Sequence, residues 1–154
     1  MKQKIYIDTS VFGGYFDIEF SEFTKPLFER IRNGELQIMY SSLTEQELEP
    51  APEKVKELVR GLPVANVDFI DITVDAVTLA RQYIEENVVG RTSYEDCLHI
   101  ALATIYKADY LASWNFKHIV NTTRIRGYNA VNLKMGYATL EIRSPRDLMK
   151  YEDE

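Results

Sequence analysis

The chain has a single cysteine, Cys97, so it holds no internal disulfide and no zinc cluster built on several thiolates. Long apolar runs are also missing, and none approaches the roughly 20 residues that cross a bilayer. The opening residues, MKQKIYIDTS, carry two lysines but turn polar too early for a secretory leader, so the expectation is a cytoplasmic protein without a membrane partner. Internal repeats, low-complexity tracts and an evident linker are absent. So is a glycine-rich phosphate loop, because Gly13-Gly14 is short and no Lys-Ser/Thr pair adjoins it. What is present, 45% hydrophobic residues in a chain of 154, suits one globular domain over residues 1–154 with a real core.

Charge is unevenly spread. The net charge is −6, yet residues 114–146 hold Lys117, Arg124, Arg126, Lys134, Arg143 and Arg146 against Glu141 alone, a local balance of +5 that leaves −11 elsewhere. A basic stretch beside acidic residues can hold a phosphate backbone, and it can equally be a solvated face.

Strand and helix signals alternate. Residues 4–8 (KIYID) and 36–41 (LQIMYS) are short apolar runs, the second preceded by the turn signal Asn33-Gly34. Residues 69–73, 109–113 and 139–143 give three further strand expectations. Helical spacing marks residues 20–32, a segment from Thr44 broken near Pro50 and Pro52, a short helix around Val55–Leu62, a face of Val77, Ala80, Ile84 and Val88, and residues 93–108. A last helix starts at Ser144-Pro145, while residues 116–138 are ambiguous. Such alternation predicts an α/β fold, a central, mostly parallel sheet flanked by helices in three layers. Ligand sites in such sheets sit at the C-terminal edge of the strands.

Four polar residues meet that criterion. Asp8 follows Ile5-Tyr6-Ile7, and Asn115 lies just past the strand ending near Ser113. Glu47 and Asp96 are placed in the first turns of helices beginning near Thr44 and Ser93. Three clustered carboxylates repel one another, about 4 kcal/mol for a pair at 4 Å, and a divalent cation would compensate. Oxygen-only donors favour Mg²⁺ or Mn²⁺. Each position has a plainer explanation as well. Thr44-x-x-Glu47 and Ser93-x-x-Asp96 have the form of capping boxes, and Asp8 and Asn115 suit turns.

The joint pattern resembles the PIN domain family, the metal-dependent nucleases that include VapC-like toxins. The blocks that carry the resemblance are IYIDTSVF at 5–12, YSSLTEQEL at 40–48, SYEDCLHIALATIYKADYLASWNFKHI at 93–119 and SPRDLM at 144–149. It implies a PIN-like α/β/α fold and a Mg²⁺- or Mn²⁺-dependent endoribonuclease that hydrolyses phosphodiesters with metal-activated water. Asp8, Glu47 and Asp96 would be catalytic metal ligands, and Asn115, standing where many members have a fourth Asp, would join them by coordinating the cation or a ligating water through its amide oxygen, without adding charge. Thr9 and Ser10 would hydrogen-bond a ligating carboxylate or water. The resemblance also implies an RNA substrate, a small antitoxin partner and a homodimer.

Around this set, Trp114, Lys117, Arg124 and Arg126 are candidate RNA contacts. Trp114 reads either as a base-stacking ring or as core, and both arginines either as phosphate contacts or as solvated charge. His99 is expected to hydrogen-bond within its own helix, and His118 to be structural or incidental. Phe12, Tyr15 and Phe16 read as core or as a partner surface. Two other classes compete: a PIN-like binding module weakened by Asn115, and a phosphatase. The phosphatase reading fails on Asp8-Thr9-Ser10, which lacks an Asp two residues on.

Overall fold

The computed structural model describes residues 2–152, with side chains described for residues 2–149. Five strands, β1 (Gln3–Ile7), β2 (Leu36–Ser41), β3 (Val67–Ile70), β4 (Tyr110–Ala112) and β5 (Glu141–Arg143), form one sheet. Its order is β3-β2-β1-β4-β5, and every pairing is parallel. Parallel neighbours need crossovers, and the helices supply them. They are α1 (Thr9–Gly14), α2 (Ser21–Arg32), α3 (Ser42–Glu47), α4 (Glu53–Arg60), α5 (Val74–Glu85), α6 (Tyr94–Ile105), α7 (Thr122–Lys134) and α8 (Pro145–Glu152). Among the described residues no helix is long and apolar enough to cross a membrane.

Helices cover both sheet faces, so the central strands are buried on successive residues, Ile5–Ile7 of β1 and Ile38–Ser41 of β2, while the edge strands β3 and β5 keep exposed positions. Ile5, Ile7, Leu36, Ile38, Tyr40 and Ala112 face a core shared with α1, α2 and α4. Tyr6, Met39, Leu111 and Ile142 face the other core, filled by Leu79, Tyr83, Ile100, Ala103, Tyr128 and Val131 of α5, α6 and α7. The period of two within each strand sends neighbouring residues into opposite cores, which makes the three layers.

Several boundaries move from the sequence expectation. The strand expected at 69–73 runs from Val67 to Ile70, and the one expected at 139–143 shortens to Glu141–Arg143. The ambiguous 116–138 segment contains α7, capped by Asn121, whose side chain accepts from the Arg124 N–H. The helix starting near Thr44 begins at Ser42 instead. Ser41 is its cap, accepting from the Thr44 N–H at 3.1 Å, so Glu47 ends α3 and does not lie in its first turn.

Candidate active site

β1 stops at Ile7 because Asp8 becomes the cap of α1. Its backbone is extended, and its Oδ1 accepts from the Ser10 N–H at 2.9 Å. That places the carboxylate at the C-terminal end of the central strand, only 5% exposed. Its other oxygen accepts from the Ser113 hydroxyl, just past β4, and from the Ser10 hydroxyl at 3.3 Å. Ser10 Oγ in turn accepts from the Trp114 N–H at 2.9 Å, tying the start of α1 to the end of β4. A buried carboxylate is tolerable when its lone pairs are filled in this way.

Asp96 comes from the first turn of α6 and is held more loosely. Its one described side-chain bond is from Asn115 Nδ2 at 3.3 Å. Burial, then the charge of Asp8, push its pKa above the ordinary 3.8, although His118 and His99 pull the other way. Asn115 Oδ1 accepts from the His118 N–H at 3.0 Å. In this arrangement the amide meets the acids through its nitrogen, whereas a ligand would present its oxygen.

Glu47 reaches the site from the end of α3. Its Oε1 accepts from His99 Nε2 at 2.5 Å and from the Thr9 hydroxyl at 2.7 Å. Burial works to raise the Glu47 pKa, but bonds and charge from His99, with help from Thr9 and Glu95, hold it below its ordinary value. Burial likewise works to lower the His99 pKa. The bond it donates to Glu47 and the charges of Asp8, Glu47 and Asp96 win, and it is raised. Because an ionised carboxylate only accepts, Nε2 carries a hydrogen. The other ring nitrogen, Nδ1, meets the Tyr6 hydroxyl at 2.6 Å, and that hydroxyl also meets Ser41 Oγ at 2.8 Å. His99 therefore bonds across to β1 and α3, not within its own helix as expected.

The capping explanations do not hold. Ser93 makes no side-chain capping bond, and Glu47 lies at the wrong end of α3 to be part of a capping box. Asp8, by contrast, is a cap and an edge carboxylate at once. Among the described residues no three His, Cys, Asp or Glu side chains are gathered, as they stand, to hold an ion. Chemically the donors still suit a hard cation. They are oxygens, and Asp96 receives a single, long side-chain hydrogen bond among the described residues.

The candidate RNA contacts divide. Trp114 is 7% exposed, stacks on Phe20 at 4.3 Å and donates from Nε1 to Thr24 Oγ1 at 2.9 Å. It also lies against Gly14, where an added Cβ would come within 2.7 Å of the indole. Trp114 is core, and its ring is not open to a base. Arg124 donates to the Val88 carbonyl oxygen, so its guanidinium helps hold α7 to the segment after α5. Lys117 and Arg126 are exposed. The basic stretch is further dispersed by pairing of Lys134 with Glu86 and Arg143 with Glu141, while Arg146 lies 6.0 Å from the Phe23 ring centroid. Phe12 is buried, Tyr15 half-buried and Phe16 exposed.

Ser113, Tyr6 and Glu95 also bond into this region, and the sequence alone does not single them out. Ser113 could have been found as the first polar residue after Tyr110-Leu111-Ala112, the counterpart of Asp8 after Ile7. Tyr6 gives no such signal, because a tyrosine inside an apolar strand looks like core.

A fully parallel sheet covered on both faces, with Asp8 and Ser113 directly following two of its strands, defines an open-sheet α/β protein, the class in which ligand sites sit at the C-terminal strand edge. The PIN domain model matches residues 5–115, a span that includes Asp8, Glu47, Asp96 and Asn115. The chain belongs to the PIN domain family, whose members are generally nucleases. Among solved structures it is similar to a chain of VapBC2 from Rickettsia felis bound to a promoter DNA fragment, with TM-score 0.57 and 14% identity over 92% of this chain and 98% of that one. A chain of DNA-bound VapBC from Salmonella typhimurium gives 0.54 and 17%, covering 93% and 98%. One from FitAcB of Neisseria gonorrhoeae gives 0.56 and 13%, covering 92% and 97%. At such identities the likeness is one of fold. No curated protein sequence gave a significant match.

Proposed function

We propose that this protein is a Mg²⁺- or Mn²⁺-dependent endoribonuclease acting at the Asp8, Glu47 and Asp96 edge. The observation that supports the reading is the bonding that links the three acids through neighbouring residues: Asp8 to Ser113 and Asp96 to Asn115, both just past β4, and Glu47 to His99, three residues beyond Asp96 on α6. When bound, the cation supplies Lewis acidity for phosphodiester hydrolysis and neutralises charge on the phosphate. Asp8, Glu47 and Asp96 hold it through oxygen. Ser10 and Ser113 fix the Asp8 carboxylate, and His99 with Thr9 fixes Glu47 in its ionised form. Asn115 donates to Asp96 and orients it, and Lys117 meets the phosphate backbone.

The VapBC and FitAcB neighbours support a wider role as the toxin half of a toxin–antitoxin pair, acting in the cytoplasm as a homodimer and held by a small antitoxin. Purified protein with Mn²⁺ is expected to cleave single-stranded RNA, and D96N to leave it intact. Equal cleavage by both would overturn the assigned site. A second reading, a weakened RNA-binding module, is favoured by Asn115 and by the lack, among the described residues, of acids close enough together to hold an ion as they stand. It takes over if wild-type protein binds RNA and cuts none with either cation.

A further inference from the structure

Phe116 follows Asn115 directly and is 49% exposed, although the chain around it is well fixed. The Asn115 N–H donates to Ser113 Oγ at 2.9 Å, and the His118 N–H donates to Asn115 Oδ1 at 3.0 Å. The ring stands edge-on to Trp114, with centroids 5.9 Å apart and planes at 63°, and tilts over Phe20 at 6.5 Å. Behind it, Phe20 and Trp114 are themselves stacked within 20° of parallel. Two packed aromatics thus hold a third at the surface, one residue from the acidic edge. The next side chain, Lys117, is an exposed cation.

We propose that Phe116 is the stacking platform for an unpaired nucleobase of the strand presented to the Asp8–Glu47–Asp96 edge, with Lys117 meeting the adjoining phosphate. The inference rests on the nuclease reading of that edge and names what it selects. A fixed, half-open ring beside a cation offers a π face and a counter-charge, which are what a single strand can use. Bases in a duplex already stack on their neighbours, so the platform selects unpaired segments. Every base has a π face, so it imposes little sequence preference.

Trp114 is the chain's single tryptophan and reports on its neighbour directly. Full-length protein in EDTA, where nothing is cut, is titrated with a short oligoribonucleotide, the same strand carrying abasic positions, and its duplex. Trp114 emission and anisotropy of the labelled strand are followed together. The base-containing single strand is expected to change Trp114 emission and to bind about 10-fold more tightly than the abasic strand or the duplex. F116A and F116L are expected to lose about that factor, while F116Y stays within about 2-fold of wild type.

Because leucine keeps apolar cover but has no π face, wild-type affinity in F116L means a generic apolar contact, as a protein partner would use, and overturns the proposal. Equal binding of the abasic strand, or no binding of any strand, also overturns it. The two readings fail separately. Phe116-dependent binding without Mn²⁺-dependent cleavage removes the nuclease and leaves the platform. Cleavage that D96N abolishes and F116L leaves unchanged removes the platform and leaves the nuclease.

Discussion

Asp8 ends a buried strand and spends its oxygens on the Ser10 amide and the Ser10 and Ser113 hydroxyls, whereas Asp96 sits half-buried on α6 with one long amide bond. The same residue type at the same sheet edge is therefore held in two ways. Asp8 is a satisfied anion that joins β1, α1 and the end of β4. Asp96 carries a raised pKa because burial and Asp8 both disfavour its charge. The contrast separates a carboxylate whose oxygens the fold fills from one whose oxygens it leaves largely open.

The largest expected effect tests this asymmetry. Both D8N and D96N are expected to lower Mn²⁺-dependent cleavage by at least about 100-fold, because each removes a charge proposed to hold the cation. Their stabilities without metal should move in opposite directions. D8N sets an amide N–H₂ among donors and should cost about 1–3 kcal/mol, a fall of several degrees in Tm. D96N removes an unfavourable charge and should leave Tm unchanged or raise it. Thermal denaturation in EDTA decides the point, and a large fall in D96N would erase the distinction.

Next in size is N115D. A fourth carboxylate adds charge for the cation and removes the donor to Asp96. Calorimetry is expected to show Mn²⁺ binding tightened by about 10-fold, or 1.4 kcal/mol, with a lower Tm in EDTA. Weaker Mn²⁺ binding would mean that the Asn115 amide matters more than the charge at its position.

G14A probes the packing behind the edge. Its methyl would press on the indole of Trp114, and about 1–3 kcal/mol of destabilisation is expected, read by chemical denaturation. Wild-type stability would show that the indole can shift away freely.

The smallest effect is one of pH. His99 has a raised pKa, so its contribution is full below its unfolded value near 6.5 and fades as pH rises through the folded value. Glu47 has a lowered pKa, so its contribution is present above about 4.5 and fades as pH falls through the folded value. Metal-free Tm is therefore expected to decline on both sides of that window. H99Q should flatten the alkaline limb and leave the acid limb from other carboxylates. An unchanged alkaline limb would show that another group sets it.

The sequence by itself determined the alternation of strands and helices, the layered sheet and the strand-end position of Asp8. These depend on local patterns: runs of Ile, Tyr and Leu, helical spacing, and a carboxylate after an apolar strand. α7 is not legible in the sequence because Thr122, Thr123, Arg124, Arg126, Asn129 and Asn132 blur its apolar face, and Asn132 is itself buried. Tertiary structure alone decided which side chains answer one another. Ser113 meets Asp8 across 105 residues and His99 meets Glu47 across 52. Whether Trp114 or Phe116 lies open to solvent was settled by Phe20, Thr24 and Gly14 packing against the indole. Periodicity reports which face a residue occupies, but a partner far along the chain is set only when the sheet brings the two ends together.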